Sequence, residues 1–241
     1  MSSINWERIT GYTMILLVVC GILAIAISFG MTDQEPTNRD DLEQFLLDVE
    51  DKKALAVLTA FFFVMLDAVV GLVLAGLLYF VFRDRSRPLA LIVLVGLVAN
   101  AAIAGTSDAI GASMIAVADG YVNGGVGLEA GDPAFLDIAY AMAWMSNLTV
   151  LVGFTALGIG LVALGWLLWA APEGNVNPPR IYGAASVLAG LTAFLSWIAV
   201  ATEIGFLFFA LQGIFSIVLL VGVGAHLIMR SGEGSQTAAA S

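Results

Sequence analysis

Three acids fall inside otherwise apolar stretches of the chain: Asp67, Asp108 and Glu203. An ionisable side chain at membrane depth is expensive, so it usually faces a bundle interior, a partner or water. Three amides accompany them, Asn100, Asn147 and Gln212, and no lysine or arginine lies at comparable depth. Acids without a basic counterpart suit a cation or a proton, and the residues that would carry such a pathway are Asp67, Asn100, Asp108, Asn147, Glu203 and Gln212. Asp108, Tyr140, Asn147 and Glu203 fall near one membrane level, with Gln212 about two turns deeper. They would line an outward-facing acidic vestibule. The competing expectation is that these groups are polar clamps that join helices.

Other chemistries lack their minimum parts. His226 is the only histidine, so bis-histidine haem ligation, paired-histidine zinc sites and binuclear centres lose their usual ligands. Cys20 is the only cysteine, which removes the CxxC pair of a thiol oxidoreductase and any intramolecular disulfide. A retinal protein needs a lysine inside a late helix, and the only lysines are Lys52 and Lys53. Gly224-Ala225-His226 resembles the base region of an intramembrane serine protease, but no Gly-x-Ser-Gly nucleophile motif occurs. A phosphate-binding P-loop is absent too. Asn147-Leu148-Thr149 matches a glycosylation triplet but lies in an apolar helix. We therefore expect no catalytic residue, cofactor or metal site, and a non-catalytic structural or interaction protein as the leading function.

These residues must be positioned by membrane spans. The chain of 241 residues is 60% hydrophobic and only 12% charged, with a mean hydropathy of +0.98, so a soluble domain is excluded. Apolar blocks of about 20 residues or more cross a hydrocarbon core of roughly 30 Å. They fall at about 11–31, 54–82, 89–118, 134–170, 180–201 and 205–230. The first is too long for a signal-peptide core of about 7 to 15 residues, and it is read as retained. Residues 180–230 would make a single helix of about 75 Å, so the chain must turn back, near 201–205. The fourth block exceeds what a bilayer needs, so its 135–143 end protrudes or tilts.

Between the first two spans, Leu42, Phe45, Leu46 and Val49 recur at i, i+3, i+4 and i+7. With Asn38 as a cap, this predicts a short amphipathic helix lying on the membrane surface. Residues 119–133 are glycine-rich and read as a flexible connection. Asp67 lies mid-span, and Asn100 lies about 18 Å into the third span. Antiparallel neighbours would put them level, which predicts an Asp67–Asn100 contact. Rows of small or polar residues at i+4 follow both, Asp67, Gly71 and Ala75 on one helix and Gly96, Asn100, Ala104 and Asp108 on the other. Such rows are packing faces first.

Orientation follows from the basic residues, which resist translocation. With the N-terminus inside, Arg8, Arg83, Arg85, Arg87, Arg180 and Arg230 are cytoplasmic, against Arg39, Lys52 and Lys53 outside. Both termini are then cytoplasmic, in the cell membrane. Acids outnumber Lys and Arg by 19 to 9, which leaves no basic patch for nucleic acid and suits a host with high salt. Lipid is the expected partner, with a membrane protein or a second copy of the chain beside it.

Two stretches, Gly76-LLYFVFRDRSRPLALI-Val93 and Gly165-WLLWAAPEGNVNPPRIYGAASVLAG-Leu191, resemble a family of uncharacterised prokaryotic six-span membrane proteins known only as a domain of unknown function. The resemblance covers about residues 8–230 and implies a fold without an established activity. The expected architecture is an all-α integral membrane bundle of six transmembrane helices with one surface helix. It forms a single domain over 1–230, followed by a disordered tail at 231–241.

Overall fold

The computed structural model describes residues 5–29, 39–125, 127–169, 179–200 and 205–239. The chain is all-α: Trp6–Phe29 (α1), Arg39–Asp51 (α2), Lys53–Val64 (α3), a π-helical segment Met65–Val70, Gly71–Phe82 (α4), Arg87–Asn123 (α5), Pro133–Trp169 (α6), Arg180–Leu195 (α7), a 3-10 stretch Ser196–Val200, and Gly205–Ala239 (α8). Among the described residues, six helical runs are long and apolar enough to cross a membrane: Trp6–Ile27, Lys53–Phe82, Arg87–Asn123, Pro133–Trp169, Arg180–Ile198 and Leu207–Arg230. Large apolar side chains stay exposed along them, Leu16, Val19, Ile22 and Leu23 on α1 for example. That is the surface a helix presents to lipid once its backbone polarity is satisfied internally.

The helix limits have local causes. α1 starts earlier than its apolar block because Asn5 Oδ1 accepts from the Arg8 N–H at 3.1 Å and caps the first turn. The helix then holds Thr10 and Thr13, whose hydroxyls donate to the carbonyls of Trp6 and Ile9 at 2.7 and 2.9 Å. α4 ends in a turn closed by the Arg83 N–H on the Tyr79 carbonyl, 2.9 Å, and Pro88 sits in the first turn of α5, where its missing N–H costs nothing. The described residues stop at Val200 and resume at Gly205, so the reversal expected near 201–205 is not among them. Residues 201–204 lie outside the described residues, and α8 runs on into the segment read as a polar tail.

Contacts cluster into two compact units. The first comprises Met1–Val19, Val69–Ala102 and Leu151–Ser241. Its core gathers Met14, Leu78, Phe82, Val93, Leu164, Leu168, Leu219, Val223 and Leu227. Helix pairs approach closely at facing glycines. A Cβ on Gly11 would stand 2.5 Å from the Gly224 carbonyl oxygen, and one on Gly96 would stand 2.7 Å from the Gly160 nitrogen. α6 and α7 use two such pairs, Gly158 with Gly190 and Gly165 with Gly183. Ser186 adds a buried bond between them, its hydroxyl donating to the Leu161 carbonyl at 2.7 Å. Lipid tails are as apolar as leucine, so this shape fit and the interhelical hydrogen bond do the joining that water would do elsewhere.

The second unit comprises Cys20–Ala68 and Ile103–Val150. The amphipathic helix expected at the membrane surface is α2, but its apolar face is covered by protein. Leu42, Leu46 and Val49 are buried against Met114, Ala118, Tyr121, Phe135, Leu136 and Ala139. The extra length at the start of α6 packs against α2 and α5 through Phe135, Leu136 and Ala139. The 119–133 connection also differs from the open link expected. α5 continues to Asn123, and the turn after it is hydrogen-bonded, with the Gly131 N–H on the Tyr121 carbonyl at 2.8 Å. Gly124, Gly127 and Gly131 have φ near +76° to +80°, the left-handed region that side-chain-bearing residues avoid. Here the glycines build a specific turn. Asp132 then caps α6, its Oδ1 accepting from the Ala134 N–H at 2.9 Å.

Candidate functional site

The second unit contains a cavity of about 160 Å³. Phe45 and Val49 of α2 close one side, Thr59 and Phe63 of α3 another, and Ser107, Asp108 and Ser146 supply polar groups from α5 and α6. An engineered apolar cavity of roughly 150 Å³ holds one benzene, so the space fits a molecule of that size or a few waters.

The polar wall is mostly committed to structure. Ser107 Oγ lies 2.9 Å from the Ser146 carbonyl oxygen and 2.8 Å from Ser146 Oγ, and Ser146 Oγ reaches back to the Ser107 carbonyl at 3.3 Å. This reciprocal clamp joins α5 and α6 within the unit. Thr59 donates to the Leu55 carbonyl one turn back, 2.9 Å. Asp108 brings the one carboxylate of the lining, and its Oδ2 is buried.

The residues expected to form a pathway are placed as follows. Asp108 lines the cavity. Asn147, on the same unit, is exposed on α6 and does not line it. Tyr140, also expected at the vestibule, is 54% exposed and packs edge-on against Trp144, with ring centroids 6.4 Å apart. In the first unit Asn100 is half-buried on α5. Gln212 is buried on α8, where its side-chain amide donates to Ser216 Oγ at 3.3 Å. The Glu203 residue and the Asp67 side chain lie outside the described residues, and so does the expected Asp67–Asn100 contact. The Asp67 backbone falls in the π-helical segment, a local widening that often accompanies functional positions.

Sequence reasoning missed Ser107, Ser146 and Thr59 as cavity residues. Their signal was weak, because a hydroxyl in an apolar helix can return its proton to its own backbone and reads as neutral. It also missed a polar cluster where α2, α3 and α5 meet. Lys53 Nζ sits 2.7 Å from Asp119 and 3.2 Å from Glu50, and the Tyr121 hydroxyl donates to Glu43 at 2.7 Å. Among the described residues, no group of three or more His, Cys, Asp and Glu side chains is arranged to hold a metal ion. A second depression, lined by Leu91, Val95, Ala99 and Ile159 among others, is wholly apolar and offers contact without chemistry.

Residues 9–230 match a known family described as Domain of unknown function (DUF4386). No curated protein and no solved structure matches the chain.

Proposed function

The chain belongs to the family described as Domain of unknown function (DUF4386), a multi-pass membrane protein of six apolar spans, and from that premise we propose that it acts by association instead of catalysis. The observation that carries this reading is the reciprocal Ser107–Ser146 clamp: these two hydroxyls, which line the same cavity as Asp108, are engaged with each other and with backbone. A nucleophile needs a hydroxyl held toward a base and a substrate, and these hold one helix to another. The partner is a membrane protein or a second copy of the chain. The protein sits in the cell membrane with both termini cytoplasmic, the orientation that the arginine distribution favours.

A second reading is favoured by one observation, the Asp108 carboxylate in the wall of a cavity of about 160 Å³. It is a transporter or channel-like protein for a cation or proton, using Asp67, Asn100, Asp108 and Glu203. Flux in reconstituted vesicles separates the two. The association reading expects no cation or proton flux above that of empty vesicles. Flux that Asp67→Asn, Asp108→Asn or Glu203→Gln abolishes would replace it with transport.

A further inference from the structure

We infer that Arg85, with Arg230 and Glu7 beside it, seats the phosphate of an anionic lipid headgroup at the end of the first unit where α4 turns into α5. The turn carries three arginines, and their settings differ. Arg83 is half-exposed over the Phe80 ring at 5.3 Å, and Arg87 is exposed. Arg85 folds inward, its guanidinium 4.9 Å above the centre of the Phe82 ring, and Phe82 itself is 1% exposed. Arg85 Nη1 is buried, and no described residue accepts a hydrogen bond from it. A guanidinium keeps its charge in any protein setting, so burial leaves it needing an acceptor.

Among the described residues, no carboxylate forms an ion pair with Arg85. Glu7 faces Arg85, but its Oε1 is held by Arg230 Nη1 at 3.2 Å. The Glu7 carboxylate is thus engaged by Arg230, and the buried Nη1 of Arg85 keeps no acceptor. Burial and the neighbouring Arg230 charge push the Arg85 pKa below its ordinary value, with Glu7 offsetting part of the shift. Both effects fit a buried guanidinium that no carboxylate of the described residues pairs with.

A phosphate oxygen pair matches the guanidinium fork and carries the missing charge. Aromatic rings place this cluster at headgroup depth. Trp6 stacks on Phe80 with centroids 5.6 Å apart, and both are about half exposed, as amphipathic and aromatic groups at a membrane interface are. Basic pockets between spans at this depth bind anionic headgroups. Inorganic phosphate has the same oxygens but no acyl chains to lie along the exposed apolar flanks of α1 and α4.

The test uses the full-length protein in nanodiscs made from equal parts phosphatidylcholine and phosphatidylglycerol, with native mass spectrometry of the lipids it retains. The wild-type protein should retain phosphatidylglycerol preferentially. Arg85→Gln should reduce that preference about fivefold, the factor expected for one basic residue near the surface. Arg87→Gln should leave it unchanged, and Arg85→Lys, which keeps the charge but loses the fork, should fall between. No preference in the wild type overturns the inference, and this arm does not depend on any variant folding. An undiminished preference in Arg85→Gln overturns it too. So does thermal stabilisation by inorganic phosphate in pure phosphatidylcholine equal to that from phosphatidylglycerol, which would make the ligand a soluble anion.

Discussion

Gly158 and Gly190 face each other across α6 and α7 so closely that a Cβ on the first would stand 2.9 Å from the carbonyl oxygen of the second, and a Cβ on the second 2.8 Å from that of the first. The same two helices repeat the arrangement seven residues away, where a Cβ on Gly165 would stand 2.7 Å from the Gly183 carbonyl oxygen. Both neighbours are backbone, which cannot rotate aside. Gly190→Val should therefore lower stability by about 1–3 kcal/mol, the usual cost of overpacking, seen as a lower thermal midpoint of the purified protein in detergent. Gly76→Ala, with nothing within 4 Å of the added carbon, should leave that midpoint unchanged. Equal midpoints for Gly190→Val and wild type would mean that the helices do not meet at these glycines.

The Ser107–Ser146 clamp spans 39 residues of sequence and joins two helices through side chain and backbone together. Interhelical hydrogen bonds in membrane proteins average about 0.6 kcal/mol and reach about 1.7. Ser107→Ala and Ser146→Ala should each destabilise within that range. Because each hydroxyl works through the other, the double variant should cost less than the two single losses added together. Strict additivity in this cycle would show that the two side chains do not interact.

Much of the architecture was legible because a span is announced by length alone. Six apolar blocks, each long enough for hydrocarbon, gave six helices at nearly the expected bounds. α2 was legible for a different reason: polar residues separate Leu42, Leu46 and Val49, so the face to be buried was visible in the pattern. What covers that face was not. Inside the spans the rotation of each helix could not be read, because protein-facing and lipid-facing positions are both apolar and periodicity carries no contrast. Hence Asp108 could be singled out by its charge, while Ser107 beside it and Ser146 on another helix could not be paired with one another. The π-helical segment at Met65–Val70 left no mark either, since its residues suit an ordinary helix equally well.

α2 is held by its buried apolar face and, more weakly, by an ion pair through Lys53 at the start of α3, whose Nζ bridges Glu50 of α2 and Asp119 of α5. Leu46 is fully buried in the core shared with α5 and α6, whereas the Lys53–Asp119 pair nearby has side chains 43% and 50% exposed. Truncating a buried leucine costs about 2–5 kcal/mol, through lost transfer energy and the cavity left behind. An exposed ion pair is screened by water and salt and contributes little. Leu46→Ala should thus speed proteolysis within α2 and lower the unfolding midpoint, while Lys53→Gln should do neither at high salt. The reverse ranking would mean that charge, not the apolar face, docks this helix.

Only one candidate span, Lys53–Phe82, separates α2 from the α4–α5 turn, so if it crosses the membrane positions 44 and 86 are expected on opposite faces. The turn holds Arg83, Arg85 and Arg87, and because basic residues resist translocation the proposed orientation expects α2 outside. Gln44→Cys, at an exposed α2 position, should therefore react with a membrane-impermeant maleimide on intact cells in a Cys20→Ser background, and Ser86→Cys should react only after the cells are opened. Labelling of Ser86→Cys alone would reverse the orientation without touching the fold. Labelling of both from outside would be graver. It would mean that the helix carrying the π-helical turn and Asp67 fails to cross, leaving an odd number of spans and the two termini on different sides.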